Sequence, residues 1–252
     1  MDILDKIARQ SLETIKSGYY EVNIEAEGKK PSLKGSLNER EFSLIGELKF
    51  ASPSLGKFRE IKDYELIVKT MEKYCTGISV LTEPKSFFGS LEIFSRVREI
   101  VDLPLLMKDF VISEDQIKAS ERIGADAVLL IFSLAKRGYF ELDEMIEFSH
   151  EKGIEVVLEV HSREELEKAI DTEADIIGVN NRDLRTMETN TYNTFEILKD
   201  FHSKKPILSE SGFRRRKDVL KVRKLVDGIL VGTALMTSDD LEGKLRELSL
   251  CG

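Results

Sequence analysis

Apolar residues recur along this chain in two alternating rhythms. Residues 2–17 carry Ile3, Leu4, Ile7, Ala8, Leu12 and Ile15 at helical spacing and stop before Gly18, which predicts an amphipathic helix. Residues 18–40 are polar and predict irregular chain with a short helical turn near 37–41. Beyond them, apolar runs of strand length alternate with amphipathic stretches. Strands are expected over 43–50, 77–82, 104–108, 127–132, 154–160, 175–180, 206–210 and 227–232. Helices are expected over 62–74, 90–100, 114–123 (with Ser113 as N-cap), 138–151, 162–171, 191–202, 215–224 and 239–248. Strands that alternate with helices imply a parallel sheet. Eight such units close naturally into a (βα)8 TIM barrel; a doubly wound open sheet is the alternative. No Pro/Gly-rich linker or composition shift divides the chain. Residues 1–252 are therefore expected to form a single barrel domain, with 1–40 as an N-terminal helical extension acting as lid or floor.

Composition narrows the function classes. A chain of 252 residues has the usual size of one α/β barrel, and 41% hydrophobic residues suffice for a packed core. The net charge of −8 argues against nucleic acid or an anionic membrane as partner, so an anionic ligand would need a local basic pocket. The two cysteines, Cys75 and Cys251, lie far apart without zinc spacing, which fits a reducing compartment. The first ten residues are too charged for a signal peptide, and no run approaches the length of a membrane span. The expectation is a soluble cytoplasmic protein, a monomer because no separate interface stretch stands out.

Chemistry collects where strands end. In the run 43–54 a period of two turns Glu47 and Lys49 to one face and Leu48 and Phe50 to the other, before a Ser-Pro-Ser turn. Ionisable groups at the end of a buried strand are costly unless they pair or do chemistry. A structural Glu–Lys pair is one reading; a reaction is the other. Later strands end in Lys108-Asp109-Phe110, in Glu159-Val160-His161, in Asn180-Asn181-Arg182-Asp183, in Ser209-Glu210-Ser211-Gly212 and in Val231-Gly232-Thr233. Catalytic groups of such barrels sit at these ends. Two lysines, several carboxylates, an Asn and an Arg at one mouth suit a charged ligand better than separate structural pairs. The last two turns carry Ser211, Gly212, Gly232 and Thr233. Turns after the seventh and eighth strands hold phosphate in many barrels, and glycine lets the backbone approach the anion.

Eight pieces in order carry a family resemblance: Glu47, Lys49, Ser52, Pro53 and Ser54 as E-x-K-x-x-S-P-S; Leu81-Thr82-Glu83-Pro84-Lys85; Lys108-Asp109-Phe110; Gly124-Ala125-Asp126-Ala127; Glu159-Val160-His161; Asn180-Asn181-Arg182-Asp183-Leu184; Ser209-Glu210-Ser211-Gly212; and Val231-Gly232-Thr233. The chain resembles the indole-3-glycerol phosphate synthases almost end to end, including the N-terminal helix; Phe50-Ala51 and the region 18–40 are less typical. The resemblance implies ring closure, decarboxylation and dehydration of 1-(2-carboxyphenylamino)-1-deoxyribulose 5-phosphate, without metal or redox cofactor. It implies Glu47, Lys49, Lys108, Glu159, Asn180 and Ser211 as catalytic residues, with Lys108 as general acid. Substrate contacts are expected from Ser52, Phe87, Phe110, Leu130, Arg182, Leu184 and Glu210. Phosphate contacts are expected from Lys49, Ser211, Gly212, Gly232 and Thr233. The three histidines, His150, His161 and His202, form no ligand cluster in sequence, and His161 reads as a structural strand-end residue. Phosphoribosylanthranilate isomerase, another phosphate-binding barrel, and a non-catalytic phosphosugar-binding barrel are the alternatives.

Overall fold

The structure is a computed structural model that describes residues 3–26, 30–52, 55–57, 60–183 and 188–250. Two helices, α1 (Ile3–Lys16) and α2 (Leu33–Asn38), precede the first strand β1 (Ser43–Leu48). A two-stranded ladder follows, β2 (Ala51–Ser52) against β3 (Gly56–Lys57). The chain then alternates: α3 (Tyr64–Glu72), β4 (Gly77–Leu81), α4 (Leu91–Ile100), β5 (Leu105–Lys108), α5 (Glu114–Arg122), β6 (Ala127–Ile131), α6 (Phe132–Lys136), α7 (Leu142–Glu151) and β7 (Glu155–Val160). It continues through α8 (Arg163–Ala169), β8 (Ile176–Asn180), α9 (Tyr192–Leu198), β9 (Ile207–Glu210), α10 (Arg216–Val222), β10 (Gly228–Val231), α11 (Thr233–Met236) and α12 (Leu241–Leu248). Eight parallel strands close in the order β1-β10-β9-β8-β7-β6-β5-β4, a TIM barrel.

The strands are buried on both faces, which is why they read as almost unbroken apolar runs. Strand register fixes which side chains share the interior. Glu47 pairs with Ser79, Leu81 with Lys108, Ile131 with Glu159, and Asn180 with Glu210. Residues paired in register face the same side, so all of these point into the barrel. Their sequence neighbours point to the helices. Serines cap four helices: Ser32, Ser90, Ser113 and Ser162 each accept a first-turn N–H.

The two N-terminal helices attend opposite ends. On the mouth side, Gln10 of α1 donates to Glu83 Oε1 (2.8 Å) and Ser11 to the Phe110 carbonyl (2.8 Å). Just beyond α1, Tyr20 donates to Asp109 Oδ2 at 2.9 Å. On the floor, Ser32 donates to Glu155 Oε1 (2.5 Å) at the start of β7, and Lys34 pairs with Asp175 (3.2 Å) just before β8.

Several boundaries differ from the sequence reading. The helical turn expected near 37–41 lies at α2, started by the Ser32 cap. The helix expected over 138–151 begins only at Leu142 (α7), and a short helix that the sequence reading did not expect, α6, precedes it; Gly138, between the two, takes a left-handed φ of 75°. The helix expected to 202 ends at Leu198, before Asp200 at φ 55°. Pro53, Ser54 and Cys251 lie outside the described residues. No helix among the described residues is long and apolar enough to cross a membrane.

A buried ion pair ties the floor together. Arg98 on α4 meets Asp126 at 2.7 Å, both side chains 2% exposed, and Asp126 also accepts the Leu105 N–H at 2.8 Å. Arg98 further donates to the Leu103 carbonyl at 2.9 Å. Breaking such a pair leaves an uncompensated buried carboxylate. Arg98→Met is therefore expected to lower the free energy of unfolding by about 3–5 kcal/mol in urea titration. A loss of under about 1 kcal/mol, the scale of an exposed pair, would show that the pair does not hold the floor.

Candidate active site

Alternate strands of an eight-stranded barrel supply the four side chains of one interior layer. At the mouth, β1, β5, β7 and β9 supply Glu47, Lys108, Glu159 and Glu210. Three carboxylates and one ammonium stand where an apolar layer would ordinarily be. In the strand order β9 lies four places from β5, so the hydrogen bond from Lys108 Nζ to Glu210 Oε2 spans the barrel. Lys108 Nζ also lies 3.7 Å from Glu159 Oε2. Glu47 is four places from Glu159 and pairs along its own strand with Lys49, at 2.5 Å. Only 1% of the Glu210 side chain and 3% of Glu159 is exposed, so these charges rely on one another rather than on water.

Glycines on the intervening strands make the layer possible. A Cβ on Gly178 of β8 would stand 2.3 Å from Glu210 Oε1, and one on Gly232 would stand 2.1 Å from Glu47 Oε1. Both long acidic side chains lie across backbone that carries no side chain of its own. Asn180, on the same face as Gly178, accepts the Arg182 N–H on Oδ1 at 3.0 Å and hydrogen-bonds to Glu159, helping to keep that carboxylate ionised.

The surroundings drive the three carboxyls apart. Burial raises the Glu210 carboxyl above its usual range; Lys108 pulls it down, while the nearby Glu159 carboxylate pushes it up. Burial also opposes the charge of Glu159, but His161 and Lys108 outweigh it and hold the group low. At Glu47, Lys49 and Lys108 likewise overcome burial, with Arg182 adding to the effect. At Lys108 the carboxylates of Glu210, Glu159 and Glu47 overcome burial and raise its pKa, so the amine stays protonated. One site thus holds carboxyl groups in contrasting states, an arrangement that separates acid from base.

The other residues singled out in the sequence fall around this layer. Ser211 and Gly212 follow β9 with φ of 71° and 92°, and Gly232 and Thr233 follow the neighbouring β10, where α11 begins. Phe87 and Phe110 approach at 6.2 Å between ring centres beside α1. Ser52 is buried in β2 and its Oγ accepts the Leu55 N–H at 3.3 Å. Leu184 lies outside the described residues. The expected wall from Leu130 is corrected: Ile131 pairs in register with inward-facing Glu159, so alternation turns Leu130 toward the helices and gives the inner wall to Ile131.

Sequence reasoning missed the supports. Gly178 carries no signal until its neighbour strand is known. Asn181 looked like part of the mouth, yet it is buried on the helix side, where its amide spans Ser209 Oγ (3.0 Å) and the Ser211 carbonyl (3.1 Å) and accepts from Thr194 (2.8 Å). It holds the turn that presents Ser211. His161, read as structural, sits 3.2 Å from Glu159.

A family model described as "Indole-3-glycerol phosphate synthase" matches residues 3–248. A protein of that name from Methanopyrus kandleri is 40% identical over 228 residues, 88% of each chain. One from Desulforamulus reducens is 36% identical over 262 residues, 99% of this chain and 98% of that one. Among solved structures, a mutant tryptophan synthase alpha-subunit from Pyrococcus furiosus superposes with a TM-score of 0.62 at 16% identity, covering 82% of this chain and 97% of that one. Thiamine phosphate pyrophosphorylase from the same organism gives 0.61 at 18% identity, covering 82% and 94%. These structural likenesses concern the fold.

Removing the ammonium tests the layer. In Lys108→Met, Glu210 loses the ammonium that offsets its burial while Glu159 still faces it, and its folded-state pKa rises further above the unfolded one. A carboxyl raised in this way contributes stability at low pH that is lost as pH rises through the folded pKa. The variant is therefore expected to fall short of the parent by about 3–5 kcal/mol at pH 8 and by less at pH 5, read from denaturant melts. A deficit equal at both pH values would mean that the carboxylates do not depend on Lys108.

Proposed function

The chain belongs to the indole-3-glycerol phosphate synthase family, and from that premise we propose how its barrel mouth carries the reaction. Its activity is that of the family: conversion of 1-(2-carboxyphenylamino)-1-deoxyribulose 5-phosphate to indole-3-glycerol phosphate, carbon dioxide and water, in tryptophan biosynthesis. Loss of carbon dioxide makes it a carbon–carbon lyase. The observation that carries the assignment of roles is Lys108, an ammonium held between the buried carboxylates of Glu210 and Glu159.

In this reading the anthranilate ring carbon that bears the carboxylate attacks the ketone carbon. A carbon–carbon bond forms and the carbonyl electron pair moves onto oxygen. Lys108 donates its proton there, and its positive charge favours the developing oxyanion. The carbon–carboxylate bond then breaks, its electrons return to the ring and carbon dioxide leaves. Dehydration needs an acid at the departing hydroxyl and a base for the proton removed as the pyrrole ring forms. Glu159 and Glu47, on opposite strands, fill these two roles from either side of the bound intermediate. Lys49 holds Glu47 and touches the substrate's anionic groups. Asn180 orients Glu159, and Glu210 keeps Lys108 over the ketone.

Binding follows the same division. The phosphate lies against the turns at Ser211-Gly212 and Gly232-Thr233, on adjacent strands. Arg182 offers its fork to the anthranilate carboxylate. Phe87, Phe110 and Ile131 pack against the aromatic ring. Holding the flexible sugar bent for closure supplies up to about 7–11 kcal/mol of the barrier reduction.

Because the chain has no Trp, the indole product fluoresces over a low protein background. Lys108→Ala is expected to lower kcat at least about 10²-fold while the protein still binds the phosphosugar. Near-normal turnover would remove Lys108 from the chemistry. Thr233→Asp, which places a negative charge at the phosphate turn, is expected to raise KM about tenfold or more with kcat nearly unchanged. An unchanged KM would put the phosphate elsewhere.

A further inference from the structure

His161, the residue that follows β7, stands between two carboxylates. Its side chain is 14% exposed, with Nε2 3.2 Å from Glu159 Oε1 and Nδ1 3.8 Å from Glu165 Oε2 on the first turn of α8. Neither ring nitrogen has a hydrogen-bond partner of good geometry among the described residues, so these are ion-pair contacts. Glu165 is itself fixed. It accepts the His161 backbone N–H on Oε2 at 2.8 Å and the Ser133 hydroxyl on Oε1 at 2.6 Å. Its own N–H is held by Ser162 Oγ at 3.2 Å. A chain of contacts therefore runs from α6 through α8 and the imidazole into the catalytic layer.

The two oxygens of Glu159 are divided: Oε1 meets His161 and Oε2 meets Lys108. We propose that His161, held by Glu165, is a positioning residue that acts as a second cation for Glu159, keeping it ionised and its other oxygen turned toward Lys108. This rests on the roles given above to Glu159 and Lys108. The reason is a shortage of positive charge. Lys108 is shared with Glu210, Lys49 is committed to Glu47, and Asn180 brings Glu159 only a neutral amide. Two buried carboxylates that share one ammonium tend to take up a proton between them. An imidazolium on the far oxygen prevents this at Glu159 and leaves Glu210 as the carboxyl that is pushed up.

The groups facing the ring are Glu159 from its own strand and Glu165 from α8, with Glu210 acting at longer range from β9. Burial disfavours the charged ring, but these carboxylates outweigh it and raise its pKa above the usual histidine value. A histidine that merely filled a corner would show no such dependence, and a neutral residue of similar size would serve as well.

The test begins with the parent enzyme. If it does not turn over the carboxyphenylamino substrate, the proposed roles fail, whatever the state of His161. If it does, nitrogen-15 NMR across pH reads the ring directly, and with only 3 histidines in the chain its signals can be assigned. His161 is expected to stay protonated well above pH ~6.5, the ordinary midpoint. His161→Gln is expected to lower kcat about tenfold or more, to leave KM within about threefold, and to move the acid limb of the kcat profile up by about one pH unit. The sign follows from Glu159: without the imidazolium its pKa rises, so its basic form is lost at higher pH. Glu165→Gln keeps an oxygen for Ser133 but loses the charge, so it moves the limb in the same direction by less. Should His161→Gln fail to fold, that second variant and the parent NMR decide. A ring already neutral at pH 6.5, or an acid limb unmoved by either variant, overturns the proposal.

Discussion

Four ionisable side chains occupy one interior layer of a closed barrel, and only one of them is positive. That crowding governs what surrounds it. A buried carboxylate without a partner costs several kcal/mol, so Glu47, Glu159 and Glu210 each need a cation, a hydrogen bond or a proton. Lys108 bonds to Glu210 across the diameter and approaches Glu159 from two strands away. Lys49 serves Glu47, and His161 with Asn180 serves Glu159. Space is as scarce as charge. Gly178 and Gly232 are where they are because the carboxyl oxygens of Glu210 and Glu47 occupy the room that a Cβ would take.

The same molecule separates stability from chemistry along the barrel axis. At the floor, Arg98 and Asp126 form a fully buried pair that binds α4 to the starts of β5 and β6, and α2 locks onto Glu155 and Asp175. At the mouth, charges are shared and partly mismatched, which suits groups that must exchange protons. Solved barrels with 16–18% identity retain the architecture. Function therefore rests on particular side chains at the strand ends rather than on the barrel as such.

Much of this was legible in the sequence because the relevant physics is local. A period of two placed Glu47 and Lys49 on one face, and buried parallel strands showed themselves as apolar runs ending in charge. The strand ends that carry Lys108, Glu159, Asn180 and Glu210 could be read directly. What could not be read depends on neighbours across the sheet. The inward face of β6 is set by pairing with β7, so Leu130 was chosen where Ile131 faces in. Asn181, one residue past an inward Asn180, turned out to brace the helix side. The short helix α6 was not expected after β6, and the helix expected from residue 138 begins only at Leu142, past Gly138 at φ 75°. His161 stood at a strand end that the sequence marked, but its pairing with Glu165 on the next helix could not be read there.

The central claim is that these dispersed ends converge on one phosphosugar, with Lys108 at the reacting carbonyl. A crystal structure with a non-reacting reduced analogue of the substrate, bearing a hydroxyl in place of the ketone oxygen, tests it most directly. The account predicts that this hydroxyl lies within hydrogen-bond distance of Lys108 Nζ, with phosphate on the turns at Ser211-Gly212 and Gly232-Thr233. An analogue bound with its hydroxyl away from Lys108, or with its phosphate outside those turns, would contradict it.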